Sequence, residues 1–158
     1  MQIDIFNKHI SGLMLFKETP TGTRAVFTNE MGFKFFDFEF GKDSARTVFI
    51  LPRMNKKLIV QTFQNDLGMV AAPRKQSETL QGKEGTVLRS KLNDKDYLYH
   101  YTSADCNTLA RIERGGKAKR KVVATIENDA QGKPNKAIIK HKMFNFKIKL
   151  TKVEEEAN

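Results

Sequence analysis

The sequence predicts a mainly β protein: a curled antiparallel sheet or unclosed β-barrel of about nine to eleven strands, capped by one main α-helix over about 55–70. Three observations lead there. Apolar and polar residues alternate with a period of two along most of the chain, turn residues recur at short intervals, and a single stretch after Pro52 changes to a helical period. A chain of 158 residues is long enough to bury a core. It reads as one half-barrel domain over 1–153 with a frayed acidic tail at 154–158.

QIDIF starts the alternation, and HISGLMLFK continues it with Ile10, Gly12, Met14 and Phe16 on one face and Leu13 and Leu15 on the other. Apolar residues on both faces mean that part of this strand is covered twice. Pro20 and Gly22 then mark a turn, and TRAVFTN returns in extended form to the reversal at NEMG. In MGFKFFDFEF, Phe33 and Phe35 share one parity while Phe36, Phe38 and Phe40 take the other. Such a slip means either two buried faces or a bulge. Asp37 and Glu39 alternate with the last three phenylalanines, which places them on a wet outer face.

TVFIL is a short apolar strand ended by Pro52. Ile59, Phe63, Leu67 and Val70 then form one helical stripe, with Asn55 as N-cap, Gly68 in a fraying last turn and Pro73 as the stop. Residues 71–85 follow neither period and read as a long surface loop. Strands resume in GTVLRSKL, in YLYHYT with Tyr97, Tyr99 and Tyr101 on one parity, in LARIERG, KRKVVATIEN and NKAIIKHKM, and in FNFKIKLTKV. The last turns Phe144, Phe146, Ile148 and Leu150 inward and Asn145, Lys147, Lys149 and Thr151 outward.

Composition excludes several functions. Hydrophobic residues at 39% against 29% charged fit a globular chain better than a disordered one. No run approaches the roughly 18 apolar residues of a membrane span. One cysteine, Cys106, leaves no internal disulfide and no multi-cysteine zinc site, and reads as a small, partly covered residue. His9, His100 and His141 are scattered, so no metal site is expected. No phosphate-cradling loop or nucleophile elbow occurs. Non-enzymatic function without a cofactor is the expectation.

Charge is regional. Residues 111–149 hold twelve Lys or Arg against Glu113, Glu127 and Asp129, which accounts for nine of the ten net positive charges. In a meander of neighbouring strands, Lys117, Lys119, Arg120, Lys121, Lys140, Lys147 and Lys149 should merge into one basic face. That face is either a solvated shell that protects strand edges or a contact for anionic partners, membrane headgroups or nucleic acid. The lack of interleaved aromatics in GGKAKRK argues against nucleic acid.

The phenylalanines allow two readings. Phe36, Phe38 and Phe40 either fill the core between sheet and helix or, with Met14 and Phe27, line a cavity for an alkyl chain that Phe63 and Leu67 close. A strand containing SGLMLFK, a hairpin into RAVFTNEMGFKFFDFEF, a helix after a short strand and a long antiparallel run ending in GKPNKAIIKHKMFNFKIKLTKV follow in order. In that order the chain resembles the lipoprotein-carrier and lipoprotein-acceptor superfamily of Gram-negative envelopes, the LolA/LolB-like half-barrel, and within it uncharacterised lipoproteins. It departs in having one strong helix where the carriers have more, and in lacking their lipid-bearing N-terminal cysteine.

The resemblance implies a protein that binds a lipid or the acyl chains of a lipoprotein, for transport or for insertion at the outer membrane. It also implies a periplasmic location with an N-terminal lipid tether; a cytoplasmic location is the expectation if the sequence is full length. The alternatives are a basic nucleic-acid-binding module and a structural envelope subunit that docks through its basic face.

Overall fold

A computed structural model describes residues 1–5, 7–42, 44–72, 77–83, 85–105 and 107–153. Cys106, the helix stop at Pro73 and the acidic tail at 154–158 lie outside the described residues. The protein is mainly β, with one helix and open antiparallel sheets. Within the span read as one domain, residue contacts cluster into two compact units: Met1 with Ile10–Gln76, and Gln2–His9 with Ser77–Asn158.

The first unit is built on a four-stranded sheet in the order β3-β4-β5-β6: β3 (Leu13–Thr19), β4 (Gly22–Thr28), β5 (Lys34–Phe40) and β6 (Ala45–Ile50). A 3-10 turn at Pro52–Met54 leads into α1 (Lys57–Ala71), which packs on β4 and β5. The second unit carries the nine-stranded sheet, in the order β2-β1-β13-β12-β11-β10-β9-β8-β7. The strands of this sheet are β1 (Gln2–Ile5), β2 (Lys8–Ser11), whose last two residues are grouped with the first unit, β7 (Glu78–Gln81), β8 (Thr86–Lys91), β9 (Tyr97–Thr102), β10 (Leu109–Gly115), β11 (Arg120–Asn128), β12 (Pro134–His141) and β13 (Phe146–Thr151).

Thirteen strands among the described residues exceed the nine to eleven expected, for two reasons. HISGLMLFK is not one strand: it divides at Gly12 into β2 and β3, which belong to different sheets. At that point the chain passes so close to β4 that a Cβ on Gly12 would lie 2.1 Å from the Thr28 carbonyl oxygen. Only glycine fits such an approach, and it lets the chain leave one sheet for the other. The second reason is β7, which occupies part of the span expected to be a loop over 71–85. It pairs with β8 from Glu78↔Arg89 to Gln81↔Thr86, so a weakly patterned, polar segment becomes an edge strand through its partner.

The parity slip in β5 is a bulge. Phe27 pairs with Phe36 and Thr28 with Lys34, which leaves Phe35 as the extra residue. Phe35 and Phe36 therefore both lean toward Phe27, with ring centroids at 4.9 and 5.4 Å. The helix also starts differently from expectation. Lys56, not Asn55, is the N-cap and makes no side-chain capping bond; the Asn55 N–H instead bonds the Pro52 carbonyl and closes the 3-10 turn.

In the second unit, Ile3, Ile148, Ile139, Ala124 and Ile112 line up across five strands and are all buried. Their neighbours Val122, Ile126, Ala137 and Phe146 fill the same face. The alternation read in FNFKIKLTKV holds for Phe146 and Ile148, but Phe144 is corrected: it precedes β13, sits in the turn and is 42% exposed.

Candidate functional site

The aromatic residues expected to line or close a cavity come together in the first unit. The cross-strand rows Met14–Phe27–Phe36–Ile50 and Phe16–Ala25–Phe38–Thr47 place Met14, Phe27, Phe36 and Phe38 on one sheet face, and Phe40 follows on the same parity of β5. Phe36 stacks on Phe38 at 4.6 Å and meets Phe63 of α1 at 5.3 Å, while Phe40 stands edge-on to Phe38 at 6.4 Å. Phe27, Phe36, Phe38, Phe40, Phe63 and Leu67 are all buried, and Met14 is half-buried at the side. As the chain stands, these rings cover one another, and Phe63 of α1 lies against Phe36.

α1 lies on this bed through Phe63, Leu67 and Met69, with Asp66 buried among them. Gly68 does more than loosen the last turn. A Cβ there would lie 3.4 Å from the Phe40 ring, an ordinary contact distance, so the last turns of the helix run close over that ring with room for a methyl. The Gln64 amide donates a 3.0 Å hydrogen bond to Thr47 of β6. The helix carries neither an acidic residue in its first turn nor a basic one in its last, so its own end turns supply no charge that complements its macrodipole.

The other face of the same sheet corrects the expectation of a solvated carboxylate pair. Asp37 is fully buried. Arg24 donates to it through Nε at 2.8 Å and a terminal nitrogen at 2.7 Å, and Lys34 adds a third contact at 3.0 Å. The bidentate Arg24 contact holds the Asp37 carboxyl below its ordinary range; burial opposes this and Lys34 adds to it. Glu39 accepts from Thr21 and Arg46, and those two hydrogen bonds hold its carboxyl low as well. Each acid is hydrogen-bonded by donors of its own, Asp37 by Arg24 and Lys34 and Glu39 by Thr21 and Arg46, so neither is placed to exchange a proton with the other. The partners were hidden because Arg24 sits diagonally from Asp37 across the β4–β5 register.

The basic residues divide into paired and unpaired groups in the second unit. Lys147 bonds Asp4 at 3.0 Å, Lys121 bonds Asp96 at 2.8 Å, and Arg120 bonds Glu113 at 3.2 Å. Lys147 and His9 together hold the Asp4 carboxyl low, the His9 hydrogen bond contributing most. Lys140 and Lys147 are cross-strand neighbours on one face, and Lys149 lies on the same parity. Lys117 and Lys119 sit in the exposed β10–β11 turn.

The expected lack of aromatics beside these cations is corrected by the fold. The Arg120 guanidinium lies 3.6 Å from the Tyr99 ring centroid and that of Arg111 lies 4.1 Å from Tyr101, because β9, β10 and β11 are adjacent. Arg120 also bonds the carbonyls of Gly116 and Lys117, and Tyr101 donates to Glu113 at 2.9 Å. These arginines roof the tyrosines, and Tyr99 is buried beneath them, so the rings present no open platform for stacked bases.

Among the described residues no cluster of His, Cys, Asp or Glu has metal-binding geometry, and no helix is long and apolar enough to cross a membrane. No protein-family model, curated protein or solved structure matches the chain.

Proposed function

We propose that this protein is a non-enzymatic binder that holds the acyl chain of a lipid or lipoprotein on the phenylalanine face of β5, beneath α1, as the envelope carrier and acceptor half-barrels it resembles would. The observation that supports this is the way α1 is held. Its N-cap makes no side-chain bond, and beside the buried Asp66 its inner face offers apolar contact through Phe63, Leu67 and Met69, with Phe63 meeting the Phe36 ring. That attraction is non-directional and can be replaced in kind by an alkyl chain.

The magnitudes are comparable. Exposing Phe63, Leu67 and Met69 costs roughly 1.5–3 kcal/mol each, and burying ten methylenes gains on the order of 8 kcal/mol. Because α1 would pack again on the inserted chain, most of the first cost is recovered. The remainder has to cover the ordering of the chain.

Two measurements test the proposal. Native mass spectrometry of the gently purified protein should find a lipid-sized adduct, and a fluorescent fatty acid should bind and be displaced by unlabelled oleate. A protein that carries no adduct and leaves the fluorescent acid unbound would overturn the reading.

A further inference from the structure

The pairing of the second unit's sheet gathers three hairpin turns at one end. β8 and β9 end their ladder at Lys91↔Tyr97, β9 and β10 at Tyr97↔Gly115, β10 and β11 at Gly115↔Arg120, and β11 and β12 at Val122↔His141. The turns at 92–96, 116–119 and 142–145 are therefore neighbours. The Lys142 N–H bonds the Lys121 carbonyl at 2.9 Å, and the Lys121 ammonium reaches back to Asp96. This end is a single connected surface.

Its charge is one-sided. Lys91 is paired with Asp94, Lys121 with Asp96 and Arg120 with Glu113. Lys95, Lys117, Lys119, Lys140 and Lys142 are all exposed, and none forms an ion pair among the described residues. At the tip of the β12–β13 turn, Met143 and Phe144 are 68% and 42% exposed. Phe144 is not loose: its ring lies 4.3 Å from that of His141. A pair of large apolar side chains exposed in one of three adjacent turns that carry lysines without ion pairs combines two independent observations, exposed apolar area and uncompensated positive charge.

We propose that this end of the sheet docks onto an anionic bilayer, with Met143 and Phe144 entering the acyl boundary and the lysines meeting lipid phosphates. Apolar tips with basic flanks suit the membrane interface, where each cation near an anionic surface adds to attraction and the apolar pair adds depth. A nucleic acid would use the same lysines and leave Met143 in water. This docking does not rest on the acyl-chain reading.

The protein contains no tryptophan, so Met143→Trp supplies a unique reporter. With vesicles of equal parts phosphatidylglycerol and phosphatidylcholine, its emission should shift to the blue and be quenched by brominated lipid. Adding Lys140→Gln and Lys142→Gln should weaken vesicle binding by about thirtyfold, since two cations are removed from an anionic surface. No blue shift with anionic vesicles overturns the proposal. So does an equal shift with pure phosphatidylcholine, which removes the role of charge, and so does binding of a single-stranded oligonucleotide in place of vesicles.

Discussion

The buried carboxylate of Asp37 supports an unequal pair of substitutions. It accepts three charge-assisted hydrogen bonds, two of them from Arg24. The side chains of Arg24 and Lys34 are 41% and 40% exposed, whereas Asp37 has no exposure at all. Arg24→Ala strips two bonds from an anion that water cannot reach. Its cost should be the larger of the two, though below that of breaking a fully buried pair because the arginine is partly solvated. Asp37→Ala instead leaves two cations that can rehydrate, and should cost about 1 kcal/mol. The double variant should resemble Asp37→Ala alone, giving a strong coupling in the cycle.

Urea unfolding at neutral pH, with the slope unchanged, reads all three values. The pH dependence has a defined sign. The folded carboxyl is depressed, so its stabilisation is complete above the unfolded value of about 3.9 and is lost as pH falls through the lower folded value. Arg24→Ala should flatten that acid limb. If Asp37→Ala destabilised as much as Arg24→Ala, the argument from unequal burial would be refuted.

Three further substitutions test the packing. Phe36→Ala removes a fully buried ring that touches Phe27, Phe38 and Phe63, and should cost roughly 3–5 kcal/mol in chemical denaturation. Gly68→Ala places its methyl at ordinary contact with Phe40 and should raise stability by up to about 1 kcal/mol through helix propensity; a loss would mean that α1 sits closer than described. Gly12→Ala sets a Cβ against the Thr28 carbonyl and should lower Tm by several degrees, about what 1–2 kcal/mol costs a domain of this size.

The sequence was most legible where one face of an element is buried and the other wet. Phe63 and Leu67 on α1, and Phe146 and Ile148 on β13, follow their periods because the core enforces them. Gly12 shows the limit: an alternating pattern runs through it unbroken, and only the approach of Thr28 from a distant strand divides it. Asp37 shows another, since a charged residue between phenylalanines reads as solvated until the cross-strand register supplies Arg24. The tyrosines of β9 were visible as a row, but the arginines that cover them come from β10 and β11, and no sequence neighbour signals that. Phe144 carried inward parity and lies in a turn instead, because β13 begins two residues later.

The central claim, that an acyl chain enters where α1 lifts from β5, is tested most directly by tethering the helix. Gln64 and Thr47 face each other across a 3.0 Å hydrogen bond, so cysteines at both positions, with Cys106→Ser, allow a short bifunctional thiol reagent to fasten α1 to β6. The untethered variant should bind a fluorescent fatty acid and lose that binding once cross-linked. Equal binding before and after cross-linking would contradict the account.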